Sequence, residues 1–295
     1  MRTTWTSNLD AIKVGLYEKA LPKNLAWEER LNLTRKTGFD FLEVSIDDTD
    51  ERQARLDWTP AERKNIRDLV DKTGVKIQSL SLSGHRRFPL GSKSAPTRER
   101  ALDLFKRTVD LAVDLNARTI LLGGAEDYYE EVDQFTKDRF LENLGKGFEW
   151  ASGAGVMLAL ENWDIQINTM PQVMQYVDYF DSPWFQTYTD LGNLIYAGVD
   201  VVSQLDYVKG HIAALHVKDT LPGQLRYVSP GEGKVPFVEA FEKLAQIGFQ
   251  APVVLELWTE EFPDALEIVK NAGVYIREKM KEGWARHCTT IGQGE

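Results

Sequence analysis

Apolar and polar positions along this chain follow two alternating rhythms. Short apolar runs recur, and between them lie longer stretches with the three-to-four spacing of an amphipathic helix. The clearest run is Val156-Met157-Leu158-Ala159-Leu160, which stops abruptly on Glu161. A continuous apolar run with polar bounds is the signature of a strand buried on both faces, as in a parallel sheet. Runs of this kind predict further strands at residues 12–16, 39–46, 75–82, 119–122, 185–188, 212–217 and 253–257. Helical spacing predicts helices at 27–36, 96–115, 140–151, 170–180, 201–208 and 263–281, with another marked by Phe237, Phe241 and Leu244. Thr59-Pro60-Ala61-Glu62 opens one more, with a Thr cap, Pro at the first helical position and Glu at the capping-box position.

Gly38, Gly74, Gly155 and Gly248 each end a helical stretch just before an apolar strand. Glycine there accepts the left-handed conformation that stops a helix. Eight strand–helix units in 295 residues predict an α/β fold of the (β/α)8 TIM-barrel type. An open doubly wound sheet is the alternative. It is disfavoured because Lys19-Ala20-Leu21-Pro22 follows strand one where a Gly-rich dinucleotide turn would stand. The chain reads as one domain over 1–295, with 1–12 and 285–295 as tails and Trp5 as a possible anchor of the first.

Composition narrows the function. The formal net charge of -10 opposes a nucleic-acid or anionic-membrane binder, although one small phosphorylated ligand needs only a local cationic pocket. No stretch is apolar and long enough to span a membrane, and no apolar signal core opens the chain. Cys288 is the only cysteine, so no intrachain disulfide is possible, and a cytoplasmic location is expected.

The chemistry stands at the strand ends. Strand five ends in Glu161, strand six in Asp190, strand seven in His216-Val217-Lys218-Asp219, and strand eight carries Glu256. In a barrel these ends converge on one mouth. Three carboxylates and one imidazole suit a divalent cation such as manganese, zinc or cobalt. Taken singly, each carboxylate reads as a helix cap and His216 as a hydrogen-bonded core residue. Four in succession favour the metal, because three clustered carboxylates without a cation repel one another strongly.

These four residues resemble the ligand set of the xylose isomerase-like TIM barrels, and in particular of the ketose 3-epimerases. The likeness runs over nearly the whole chain. It includes Gly15-Leu16-Tyr17-Glu18-Lys19-Ala20-Leu21-Pro22, His85-Arg86-Arg87-Phe88-Pro89-Leu90-Gly91-Ser92, His216-Val217-Lys218-Asp219-Thr220 and Gly231-Glu232-Gly233. Asn193 stands where epimerases of free sugars carry a histidine, which fits the branch acting on phosphorylated pentuloses. Asn162-Trp163 departs from the smaller or apolar residues expected there.

The resemblance implies proton abstraction and return at C3, interconverting L-xylulose 5-phosphate and L-ribulose 5-phosphate. It implies Glu161 and Glu256 as the catalytic pair, with Asp190 and His216 completing the ligands of one zinc or manganese ion. The enediolate charge would be stabilised by that ion as a Lewis acid. Arg86, Arg87, Lys218 and Lys19 are candidates for the phosphate, and His85 and Asn193 for sugar contacts. Arg86 and Arg87 also read as solvated loop charges or partners of Glu43 and Asp47. The amides of Gly231-Glu232-Gly233 are a weaker anion candidate. A homodimer is expected by analogy. The rival readings are a free-ketose 3-epimerase, a sugar isomerase of the same superfamily, and a non-catalytic sugar-binding barrel.

Overall fold

A computed structural model describes residues 9–163 and 166–292. Eight parallel strands close into a barrel in chain order. They are β1 (Val14–Tyr17), β2 (Phe41–Ile46), β3 (Lys76–Leu82), β4 (Thr119–Gly123), β5 (Met157–Glu161), β6 (Phe185–Asp190), β7 (Ile212–Val217) and β8 (Val253–Leu255). The principal outer helices are α1 (Trp27–Lys36), α3 (Pro60–Thr73), α4 (Ala95–Leu115), α5 (Gln134–Gly153), α6 (Met170–Phe180), α8 (Val201–Tyr207), α9 (Phe237–Gln246) and α10 (Ala265–Gly292). Two short helices absent from the sequence reading, α2 (Asp50–Gln53) and α7 (Leu191–Tyr196), follow β2 and β6. Among the described residues, no helix is long and apolar enough to cross a membrane.

Local sequence explains the helix ends. Thr59 and Glu62 form the expected reciprocal cap at the start of α3. Gly38, Gly74, Gly155 and Gly248 adopt φ of 94°, 70°, 70° and 78°. Asn116 and Asp181 take the same left-handed turn after α4 and α6, where no glycine advertised it.

Two apolar layers hold the barrel. The larger lies between strands and helices. The smaller, inside the barrel, is Tyr17, Phe41, Leu121, Ala159, Tyr188, Ala214 and Val254. Side chains alternate faces along a strand, so residues two positions further on point inward one level higher. Above Phe41, Ala159, Tyr188, Ala214 and Val254 stand Glu43, Glu161, Asp190, His216 and Glu256. Strand stagger steps them around the barrel: Asp190 lies opposite His216, but Glu161 lies opposite Tyr188 and His216 opposite Val254.

Near both ends, the described residues depart from the expected tails. Leu9–Ala11 is a 3-10 turn and Ile12 is buried, while Trp5 lies outside the described residues. The last helix does not stop at 281 but continues to Gly292. Ala272, Ile276, Met280 and Trp284 are all buried, and their spacing of four continues one apolar stripe. Trp284 packs on Phe241 of α9 with ring centroids 6.2 Å apart. Trp284→Ala is therefore expected to cost about 3 kcal/mol of unfolding free energy, read from denaturant curves. A loss within about 0.5 kcal/mol, as at exposed positions, would contradict the packed helix.

Candidate functional site

Glu161, Asp190, His216 and Glu256 meet at the C-terminal mouth of the barrel, and each offers one ligand atom within 4.8 Å of all the others. All four are buried, between 0% and 7% exposed. Three carboxylates surround His216 Nδ1: Glu161 Oε1 at 2.9 Å, Glu256 Oε2 at 3.5 Å and Asp190 Oδ2 at 3.8 Å.

The other imidazole nitrogen is held by a residue the sequence reading left without a role. Nε2 lies 2.7 Å from Oε1 of Glu43, in the middle of β2 across the barrel. Glu43 Oε2 accepts hydrogen bonds from Ser79 Oγ at 2.6 Å and Tyr188 OH at 2.5 Å. With Nε2–H committed to Glu43, the nitrogen facing the three carboxylates is Nδ1. Burial alone would push the imidazole pKa down. The carboxylates of Glu256, Glu43 and Glu161 outweigh it and hold His216 protonated well above its usual range.

Lys218 enters the same cluster. Its ammonium lies 2.7 Å from both Asp190 Oδ2 and Glu256 Oε2. Burial raises Glu256, but Lys218 and His216 pull it below the ordinary carboxylate range. Glu161 is pushed up by burial, which its hydrogen bond to His216 only partly offsets. The cluster thus contains the carboxylates of Glu43, Glu161, Asp190 and Glu256 against Lys218 and protonated His216. That imbalance, and the hard-oxygen donor set with one imidazole, fit a divalent cation seated among Glu161, Asp190, His216 and Glu256.

Asp190 satisfies both readings of a carboxylate at a strand end. Its Oδ1 caps α7 by accepting from the Asn193 amide at 2.9 Å, while Oδ2 faces the cluster. Asn162 locks the strand ends together. Its side chain accepts from the Asp190 amide and donates to the Asp190 carbonyl, at 2.8 and 3.0 Å. Asn193 Nδ2 donates to the Asn162 carbonyl at 2.8 Å. Trp163 lies across Gly123, where a Cβ would stand 2.6 Å from its ring. Asp164 falls outside the described residues.

A cavity above the cluster is lined by Arg86, Glu161, Trp163, Asn193, Lys218, Leu225, Arg226, Glu256 and Trp258. Asn193 Oδ1, Trp163 Nε1 and Arg226 Nε are buried without hydrogen-bond partners. Buried polar atoms without partners are uncommon in folded proteins.

The remaining predicted contacts distribute unevenly. Lys19 borders the mouth but pairs with Asp47 at 2.7 Å. Arg87 is exposed and pairs with Asp50 at 2.6 Å, away from the cavity. His85 turns to α4, with Nε2 3.2 Å from the Ala101 carbonyl and its ring against Phe105. Burial lowers its pKa to about 4, as befits a neutral structural imidazole. The amides of Gly231 and Gly233 are not open to an anion. Both donate to Asp219 Oδ2, at 2.8 and 2.9 Å, so this chain's own carboxylate occupies that place. Arg226, at the cavity wall, was missed because it sits in an aperiodic loop.

The family model of the xylose isomerase-like TIM barrel matches residues 31–281. The chain belongs to that family. It is 42% identical over 270 residues to an L-ribulose-5-phosphate 3-epimerase UlaE of Escherichia coli O157:H7, covering 91% of this chain and 95% of that protein. The corresponding protein of Escherichia coli O1:K1 gives the same figures. Among solved structures, a D-psicose 3-epimerase crystallised in the presence of D-fructose superposes with a TM-score of 0.76 at 18% identity, covering 91% of this chain and 99% of that one. An L-ribulose 3-epimerase superposes at 0.73 and 20%, covering 95% and 98%. At such identities these two structures share the fold of the family.

Glu43→Gln is expected to weaken zinc or manganese binding by roughly 10–100-fold in calorimetric titration. Unchanged affinity would remove Glu43 from the site. Since His216 is protonated before a cation arrives, uptake should release a proton, and apparent affinity should rise with pH through the neutral range. Titrations in buffers of different ionisation enthalpy count that proton; none released would contradict the assignment.

Proposed function

We propose that this protein is a metal-dependent ketose-phosphate 3-epimerase interconverting L-xylulose 5-phosphate and L-ribulose 5-phosphate. The observation that carries the proposal is the buried set Glu161, Asp190, His216 and Glu256, with ligand atoms within 4.8 Å of one another. The 42% identity to proteins named L-ribulose-5-phosphate 3-epimerase supports the substrate.

Epimerisation at C3 needs a base on one face of the sugar and an acid on the other. Glu161 and Glu256 project from β5 and the end of β8, well separated around the ring. Without an ion, burial favours protonated Glu161, whereas Lys218 and His216 favour ionised Glu256. In one direction, Glu256 takes the C3 proton, the C–H electrons form the C2–C3 double bond, and negative charge moves onto the C2 oxygen. Glu161 then delivers its proton to the opposite face of C3 as the C2 carbonyl reforms. The reverse direction exchanges the two roles, and proton exchange with solvent resets the pair.

A divalent ion, zinc or manganese, held by Glu161, Asp190, His216 and Glu256 would supply Lewis-acid stabilisation of that oxyanion charge. Asn193 Oδ1 and Trp163 Nε1 are an acceptor and a donor suited to sugar hydroxyls. Asn193 is fixed in that sense by its own Nδ2–H bond to Asn162.

Glu161→Gln and Glu256→Gln should each lower kcat for L-ribulose 5-phosphate by roughly 10²–10⁴-fold in protein with confirmed metal content. Either variant turning over at the wild-type rate would sink the two-carboxylate mechanism.

A further inference from the structure

A second polar cavity lies away from the metal-ligand cluster, where the loops after β4 and β5 lead into α5 and α6. Its volume is about 360 Å³, and Glu126, Val132, Ile167, Gln172, Gln175 and Tyr176 line it. None of these residues belongs to the ligand set or to the cavity above it.

Glu126 is pinned at this place by its backbone. Its amide donates to Gln166 Oε1 at 3.0 Å, and its carbonyl accepts from the Gly91 amide at 3.0 Å. Gln166 Nε2 donates to the next carbonyl, that of Asp127, at 2.7 Å. The residue is only 5% exposed. Its Oε1 accepts one hydrogen bond, from Tyr176 OH at 3.1 Å. Burial and the Glu126 carboxylate raise the Tyr176 pKa, so the hydroxyl keeps its proton and stays a donor. Oε2 is buried without a hydrogen-bond partner. Glu126 forms no ion pair among the described residues, and Lys137, which lines the cavity from the exposed side of α5, does not reach it.

A carboxylate has about four acceptor positions, and here one neutral donor fills one of them. Such a group is costly to bury until a cationic donor completes it. The walls select the kind of cation. Divalent metal ions take several oxygen or nitrogen ligands. Among the described residues, Glu126 is the only carboxylate lining this cavity, and no histidine lines it. A cavity of this size also exceeds what a bare ion fills. An ammonium group brings three donors on a carbon stem, and Val132 and Ile167 offer that stem an apolar side.

We infer that this cavity is a second ligand site, separate from the catalytic one, for the ammonium group of a small organic amine. The ammonium seats on Glu126 Oε2, and its carbon stem lies along Val132 and Ile167.

Calorimetric titration of metal-replete protein with n-propylammonium chloride tests this, since the metal occupies the carboxylates of the barrel mouth. Potassium chloride and sodium propionate, at equal ionic strength, are the controls. n-Propylammonium should bind saturably at one site, and neither control should bind there. Glu126→Gln keeps the shape and the acceptor for Tyr176, and should weaken binding by roughly 10–100-fold. Val132→Trp leaves the carboxylate in place but fills the apolar side, and should weaken binding as well. The urea unfolding midpoint of Glu126→Gln should equal or exceed that of the wild type, because a half-satisfied buried charge is gone. A clearly lower midpoint would mean that Glu126 is completed within the protein, and overturns the site. So does the absence of saturable n-propylammonium binding, its survival in Glu126→Gln, or equal binding of potassium.

Discussion

The hydrogen bond from His216 to Glu43 governs the barrel mouth. It spans the barrel at 2.7 Å and joins two residues 173 positions apart. Because Glu43 holds Nε2, the opposite nitrogen faces Glu161, Glu256 and Asp190. Because Ser79 and Tyr188 hold Glu43, that orientation does not depend on a bound ion. A buried charge pair of this sort adds little net stability and is strongly destabilising once one partner is removed. Its value here is positional: it sets which atoms converge and leaves their excess negative charge to be balanced by a divalent cation.

The barrel makes such convergence possible through a simple alternation. One level of Phe41, Ala159, Tyr188, Ala214 and Val254 fills the interior, and the next level two residues later is ionisable. Asn162 ties the ends of β5 and β6. The lower level keeps water from the charged one on that side. The cavity above, walled by Trp163 and Trp258 and bordered by Arg86 and Arg226, is where a ligand reaches it.

The strands and the four ligands were legible because each ligand ends a buried apolar strand, and a barrel brings such ends together. Glu43 lies within β2 and not at its end; its partner lies on β7, and no local pattern states which residues touch across a barrel. Lys218 read as a phosphate contact from its charge alone; only its position shows the ammonium spent on Asp190 and Glu256. His85 and the Gly231-Glu232-Gly233 turn carried a family likeness, but they serve the scaffold, one bonded to the α4 backbone and the other to Asp219. Arg226 carried no sequence signal, since a loop has no period and its stacking on Trp258 is a tertiary fact. The continuation of α10 was legible in the four-residue spacing of Ile276, Met280 and Trp284, which outweighs the polar residues between them.

The central claim is that two carboxylates around a divalent cation move a proton at C3 of a ketose phosphate. The most direct measurement is NMR of L-xylulose 5-phosphate incubated with the protein in D₂O, with zinc or manganese supplied or removed by chelator. The account predicts deuterium at C3 together with the appearance of L-ribulose 5-phosphate, both dependent on the metal. No exchange at C3 in metal-replete protein, or exchange at full rate after chelation, would contradict it.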